Sequence, residues 1–181
     1  LSERVSHVLI NNREISAQAV HQLIAAGHRR IALISGARGL YTADERRKGY
    51  EEAMRIAECY DTSLIYSGNF TVDGGYLAMK EIIQSGRDVT ADFVTKYVMT
   101  VGAIIAINEM GRKIPEDYSF IGFDNHDLSK VITPKLATVN QPLREIGRQA
   151  AALLLKQMTG GEKRDIILPA ALELGESIRV I

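Results

Sequence analysis

The feature that most constrains this chain is an alternation, in which short apolar runs are separated by longer stretches whose apolar residues recur at helical spacing. Residues 5–10, 31–35, 64–66, 93–95, 118–121 and 166–168 read as strands, and the run Ile31-Ala-Leu-Ile-Ser35 is apolar enough to be buried on both faces. Strands alternating with helices of ten or more residues are the pattern of βαβ units around a parallel sheet. The predicted fold class is therefore α/β, a doubly wound parallel sheet. No internal repeat of solenoid period and no low-complexity linker interrupts the pattern.

Local chemistry marks the helices. Ser16 reads as the N-cap of a first helix from Ala17, in which Ala19, Val20, Leu23 and Ile24 share a face and Gly27 is the stop. A second helix is expected over residues 43–57, with Tyr50, Ala53 and Met54 on one face and Glu45, Arg47, Lys48, Glu51 and Glu52 mostly on the other. A third covers residues 73–84. A fourth, residues 98–110, is apolar almost all round, which predicts burial, and Gly111 closes it. A fifth reaches Met158 with Pro142 at an early position, where the missing N–H does no harm. Asp92 interrupts an otherwise apolar strand, so it is expected at the strand entrance, with a partner, or protonated.

Composition narrows the functional classes. The 181 residues suffice for one large domain or two small lobes burying roughly 70% of the unfolded surface. Basic and acidic side chains balance at 22 each, so nothing advertises a nucleic-acid surface within this stretch. The single Cys59 cannot form an internal disulfide, and no cysteine or histidine cluster has metal-ligand spacing, which fits a reducing compartment and no cofactor or metal. No signal peptide stands at Leu1 and no apolar run approaches a membrane span, so a cytoplasmic location is expected.

Candidate chemistry gathers where a strand meets a polar loop. Residues 118–121 supply a strand, Gly122 is expected to let the chain turn, and Asp124, Asn125, His126 and Asp127 follow at the carboxyl edge, where ligands collect in open α/β sheets. His126 is the histidine placed in this loop; His28, beside the first helix end, is expected to cap carbonyls or serve the dipole. Gly36-Ala-Arg-Gly39 follows a strand but lacks both the dinucleotide glycine spacing and the Walker lysine, and Ser35 lacks the nucleophile-elbow pattern. A strand-to-helix loop is the simpler reading. Arg46 taken alone reads as a surface charge, and Phe70 as either core or a stacking platform.

Taken in order, several segments resemble the lactose-repressor and galactose-repressor family of bacterial transcription regulators. They are Ala25-Ala-Gly-His-Arg-Arg-Ile-Ala-Leu-Ile-Ser-Gly36, Arg46-Arg-Lys-Gly-Tyr50, Gly68-Asn-Phe70 with Gly75-Tyr76, the stretch from Ile114 to Asp124 ending in Gly-Phe-Asp, Pro134-Lys-Leu-Ala-Thr-Val-Asn-Gln141 and Ile146-Gly-Arg-Gln-Ala150. The resemblance implies a type I periplasmic-binding-protein-like fold, mainly its C-terminal lobe. Residues 1–12 would be the last strand of the N-terminal lobe and a crossover, 13–140 the C-terminal lobe, 141–160 a helix returning to the first lobe, and 161–181 the crossover back. It further implies a non-enzymatic, homodimeric repressor that binds a sugar, sugar phosphate or nucleobase between its lobes. Operator DNA would be bound through a helix-turn-helix outside this chain.

Carried over residue by residue, the resemblance makes Arg46, Phe70, Asp124 and Gln141 ligand contacts, with His126 a further candidate from its loop. Tyr97 falls where the family places an acidic ligand residue, and Gly175 falls where it places an arginine. A carboxylate accepts two charge-assisted hydrogen bonds from sugar hydroxyls, whereas tyrosine offers one neutral hydroxyl and a ring. A periplasmic or tethered sugar-binding protein of the same fold is the alternative, and a flavodoxin-like enzyme is disfavoured by the absence of a nucleophile–base pair.

Overall fold

A computed structural model describes residues 5–124 and 127–181, Ser129 in its backbone only. In chain order the elements are β1 (Val8–Ile10), α1 (Asn12–Ala25), β2 (Ile31–Ser35), α2 (Tyr41–Ile56), β3 (Ile65–Ser67), α3 (Val72–Gln84), β4 (Ala91–Val94) and α4 (Tyr97–Glu109). There follow β5 (Ser119–Phe123), β6 (Ala137–Asn140), α5 (Leu143–Met158), β7 (Ile166–Leu168) and β8 (Ala171–Glu173). Six strands form the main sheet in the order β3-β2-β4-β5-β6-β8. The first five are parallel, and β8, which no sequence pattern announced, joins β6 antiparallel. β1 and β7 pair in parallel as a separate small sheet.

The sheet is covered on both faces, as its apolar strands require. Ile31, Leu33, Phe93, Ile121 and Val139 pack with Ile15, Leu23, Tyr50 and Met54 of α1 and α2. Ala32, Ile34, Val94 and Phe120 pack with Met79, Ile82, Met99 and Ile107 of α3 and α4. Each large apolar side chain so buried is worth about 1.5–3 kcal/mol. Tyr50 keeps its polar tip satisfied by donating to the Ile31 carbonyl at 2.8 Å. Winding reverses between β2 and β4: the chain runs from β2 outward to β3, then returns through α3 to β4 on the other side of β2. That reversal opens a crevice at the carboxyl ends of β2 and β4.

Several local expectations are corrected. Helix α1 starts at Asn12, so Ser16 is not its cap but a fully buried interior residue whose hydroxyl has no partner. The Asn11 carbonyl already accepts from Ile15 N at 3.0 Å, so the first turn closes without a side-chain cap. Gly122 lies inside β5; the chain turns at Asp124, whose φ is 61°. Aspartate tolerates this left-handed conformation better than bulky residues do. Pro142 precedes α5 as its N-cap. His28 is fully buried and does not cap α1: its Nδ1 lies 2.8 Å from Thr90 Oγ1 and its Nε2 3.1 Å from the Arg179 carbonyl. The neighbouring Arg29 takes the capping role, donating to the Ile24 carbonyl at 2.9 Å.

Asp92 is not at a strand entrance. It sits inside β4, fully buried between Ala32 of β2 and Phe120 of β5, and neither carboxylate oxygen has a hydrogen-bond partner. Burial drives its pKa well above the ordinary carboxylate range, which selects the protonated alternative. The C-terminal segment is tied across the sheet by Ser177, which donates to the Phe120 carbonyl at 2.6 Å and accepts from Ala137 N at 2.8 Å. Gly175, just before it, runs so close to the Lys135 and Leu136 backbone that a Cβ would overlap the Lys135 carbonyl. An arginine does not fit there as this backbone runs. α5 buries only Leu153, leaving Leu154, Leu155 and Met158 largely exposed.

Candidate functional site

Arg46 occupies the apolar face of α2, three residues after buried Ala43 and four before buried Tyr50, and it is only 3% exposed. Its guanidinium reaches the carboxyl ends of β4 and β5. Nε donates to Asn12 Oδ1 and Nη1 to the Thr95 carbonyl, both at 2.7 Å. The same group lies over the Phe123 ring, 3.6 Å from its centroid. Burial lowers its pKa to about 10, opposed by the field of Asp124. That shift corresponds to roughly 3 kcal/mol against the charged form, yet the group stays cationic at neutral pH. Charged hydrogen bonds of about 1.5–3 kcal/mol each and the ring contact offset the cost.

Asp124 stands at the end of β5, where its turn is anchored by its own N–H donating to the Val139 carbonyl at 2.7 Å. Gln141, at the end of β6, donates to the Asp124 carboxylate through Nε2 at 2.7 Å and through its backbone N at 3.3 Å. Asp124, Asn140, Gln141, Leu143 and Glu173 line a small pocket of about 230 Å³. Asn140 Nδ2 within it is buried and has no hydrogen-bond partner.

The remaining candidates stand on the same edge. Phe70 follows β3 at φ 58°, and the far edge of its ring lies against Gly36, where any Cβ would strike the ring. A glycine is therefore required after β2 for the ring to seat. Tyr97 opens α4 at the end of β4, 38% exposed. The structure thus brings Arg46, Asp124 and Gln141 together and sets Phe70 and Tyr97 along neighbouring strand ends; His126 lies outside the described residues. No group of His, Cys, Asp and Glu that could hold a metal ion occurs among the described residues.

Sequence reasoning missed Asn12, Thr95 and Phe123, the residues that hold Arg46. The signal for Arg46 itself was in the helical register, since a charge four residues before Tyr50 falls on the buried face. Asn12 carried no such signal. It is 3% exposed because its amide spans two elements, accepting from Arg46 and donating to the Ile10 carbonyl at 3.2 Å.

Comparison with known proteins agrees with this fold. Residues 20–178 match the model of the periplasmic binding protein-like domain. The HTH-type transcriptional regulator CelR of Thermobifida fusca is 38% identical over 159 residues, covering 87% of this chain and 47% of the relative. The HTH-type transcriptional repressor CytR of Escherichia coli K12 is 40% identical over 154 residues, covering 84% of this chain and 45% of the relative. A solved complex of the transcriptional regulator CelR with cellobiose superposes with a TM-score of 0.91 at 37% identity, covering 98% of this chain and 55% of that one. The chain spans about half the length of the curated relatives it matches. With its doubly wound sheet, its strand-end cluster and nearly its whole length inside the matching model, the chain belongs to the periplasmic binding protein-like domain family, in the form found in lactose- and galactose-repressor-type regulators.

Proposed function

We propose that this chain is the effector-sensing portion of a bacterial transcription regulator, a repressor, which binds a small polar molecule at the strand-end cluster and thereby changes operator affinity. The observation that carries this reading is the buried Arg46, held by Asn12, Thr95 and Phe123 at the carboxyl ends of β4 and β5 within the field of Asp124, which pairs with Gln141. A ligand can shift such a protein only through different affinities for two arrangements, and a site on one wall of a cleft provides that difference. In this reading β1, α5 and β7 belong to the opposite lobe, which is supported by their separation from the main sheet and by the uncovered apolar face of α5. The full-length protein acts as a cytoplasmic homodimer, contacts operator DNA through a helix-turn-helix elsewhere in the polypeptide, and is not an enzyme.

Calorimetric titration of the full-length protein with sugars, sugar phosphates and nucleobases, followed by operator binding with each ligand found, tests the reading. Binding that leaves operator affinity unchanged removes the regulatory role, and hydrolysis of any bound compound removes the non-enzymatic one. Arg46→Ala is expected to weaken the effector by about 2 kcal/mol. It should also cost about 2 kcal/mol of stability, because Asn12 Oδ1 and the Thr95 carbonyl lose a buried donor. Urea denaturation run beside the titration separates the two losses. Tyr97→Asp restores an acidic group at the α4 entrance, and a new response to neutral sugars is the expected result if this position sets specificity. An unaltered ligand profile would exclude Tyr97 from the site.

A further inference from the structure

We infer that residues 178–181 form a clasp over the amino edge of the main sheet, with His28 as its staple, and that the clasp opens when His28 takes up a proton.

Gly27 and His28 stand at the entry to β2, the opposite edge of the sheet from the Arg46 cluster, so the strand-end site does not account for them. What they meet is the returning chain. Gly27 has φ 100°, and a Cβ on it would lie 2.3 Å from the Ile181 carbonyl oxygen. The Ile181 N–H donates to the Ala26 carbonyl at 2.9 Å. Two residues earlier Arg179 is gripped through its backbone, its N–H donating to Ser119 Oγ at 2.9 Å and its carbonyl lying 3.1 Å from His28 Nε2. His28 Nδ1 in turn lies 2.8 Å from Thr90 Oγ1, so the entries of β2, β4 and β5 converge on the backbone of Arg179.

Little apolar burial supports this stretch. Val180 is 84% exposed, Ile181 is 54% exposed, and Ile178 is only partly buried against the core. Such a segment opens at lower cost than the sheet beneath it. The buried Ser177, bonded to Phe120 and Ala137, is the hinge, and residues 178–181 are the moving part. The clasp closes the segment that crosses from β7 through β8, so opening leaves that crossing held to the main sheet through β8, Glu176 and Ser177.

His28 makes the closed form sensitive to protons. A carbonyl only accepts, so Nε2 carries the hydrogen of the neutral ring and Nδ1 accepts from the Thr90 hydroxyl. A second proton must go to Nδ1, which reverses the Thr90 bond and places an imidazolium inside the fold. Burial opposes that charge first, and the Arg179 cation opposes it further; against the favourable bond to the Arg179 carbonyl they hold the His28 pKa below the ordinary histidine value. The neighbouring cations are engaged elsewhere, Arg29 with the Ile24 and His28 carbonyls, Arg30 with the Arg87 carbonyl and Arg87 with the Tyr66 hydroxyl. No carboxylate acts on His28 among the described residues. Lifting the clasp gives the ring to water, where it binds its proton more tightly, so acid favours the open form.

Hydrogen exchange of the full-length protein between about pH 7.5 and about pH 5, corrected for the intrinsic exchange rate, tests this. Protection of the Arg179 and Ile181 amides is expected to fall by up to about tenfold per pH unit below the ordinary histidine value, while the amides of β2 keep theirs. His28→Gln retains a donor and an acceptor without a titrating group, and its clasp protection should not vary with pH. Protection in the parent that is independent of pH, or a pH dependence that persists in His28→Gln, overturns the proposal. Should that variant fail to fold, the ring nitrogen shifts of the parent decide. A His28 that charges below the ordinary value in step with the loss of protection supports the clasp, and one that charges while Arg179 and Ile181 stay protected overturns it.

Discussion

Asp92→Val is expected to raise the stability of the protein by about 2–4 kcal/mol at neutral pH, read as a higher midpoint in urea denaturation. Valine is apolar and of comparable size, and it removes the two carboxylate oxygens that now lie without partners between Ala32 and Phe120. The sign of the pH dependence follows from the direction of the shift. Burial raises the folded-state pKa of Asp92 above its unfolded value, so the native state keeps a proton that the unfolded state releases. Stability from this site is intact below the ordinary carboxylate range and falls by about 1.4 kcal/mol per pH unit from there up to the folded pKa. Asp92→Asn separates the two effects: it abolishes the pH slope but keeps an unsatisfied polar group, so its gain should be smaller. His28 works in the opposite sense. Burial lowers its pKa, so its contribution is present above the ordinary histidine value and is lost as pH falls from there to the lowered folded value; the two windows overlap, and the opposite signs, with Asp92→Asn removing one slope, tell them apart. A valine variant no more stable than the parent at neutral pH would falsify the account of Asp92 as a buried, unpartnered acid.

The second large effect lies where α3 crosses α4. Gly102 of α4 runs against the backbone of α3, such that an added Cβ would overlap the Val72 carbonyl and come within 2.6 Å of Tyr76 N. Gly75 of α3 meets the Met99 backbone in the same way. Neither clash involves a side-chain end that can swing aside, so relief requires the helices to separate and the Met79–Met99 layer beneath them to open. Gly102→Val should therefore cost at least about 3 kcal/mol, at the upper end of overpacking effects. Intrinsic helix propensity pulls the other way by less than about 1 kcal/mol. Gly147 of α5 supplies the control, because nothing lies within 4 Å of an added Cβ there. Gly147→Ala should stabilise by up to about 1 kcal/mol through propensity alone. Equal denaturation midpoints for Gly102→Val and the parent would show that α3 and α4 separate without penalty.

The sheet and its two helical layers were legible because their pattern is repetitive. Ile31 to Ser35 could hardly be anything but an interior strand, and α2 and α3 carried apolar faces that matched it. What escaped was set by tertiary partners. The antiparallel strand β8 has three residues and no turn signal of its own; it exists because β6 offers an edge. Ser16 looked like a cap because serine favours caps, yet its hydroxyl ended in the core without a partner. At the site, Asp124 was readable from its place after a strand, and Arg46 and Gln141 from the motifs around them. The depth of Arg46 was readable only to an eye counting back from Tyr50. Asn12 and the Thr95 carbonyl were invisible, because a buried amide and a backbone oxygen acquire their role only when the chain brings a guanidinium between them.

That placement of Asn12 makes it a mechanical coupling. Its amide accepts from Arg46 at one end and donates to the carbonyl of Ile10 at the other, and Ile10 is the last residue of the strand that pairs with β7 outside the main sheet. Next to it Asn11 ties the returning chain, donating from its N–H to the Leu168 carbonyl at 3.2 Å and accepting from Ala170 N at 2.8 Å. The guanidinium is thus two hydrogen bonds from the joint at which the polypeptide leaves one sheet for the other. Movement of Arg46 would therefore act on that joint through one side chain, the amide of Asn12.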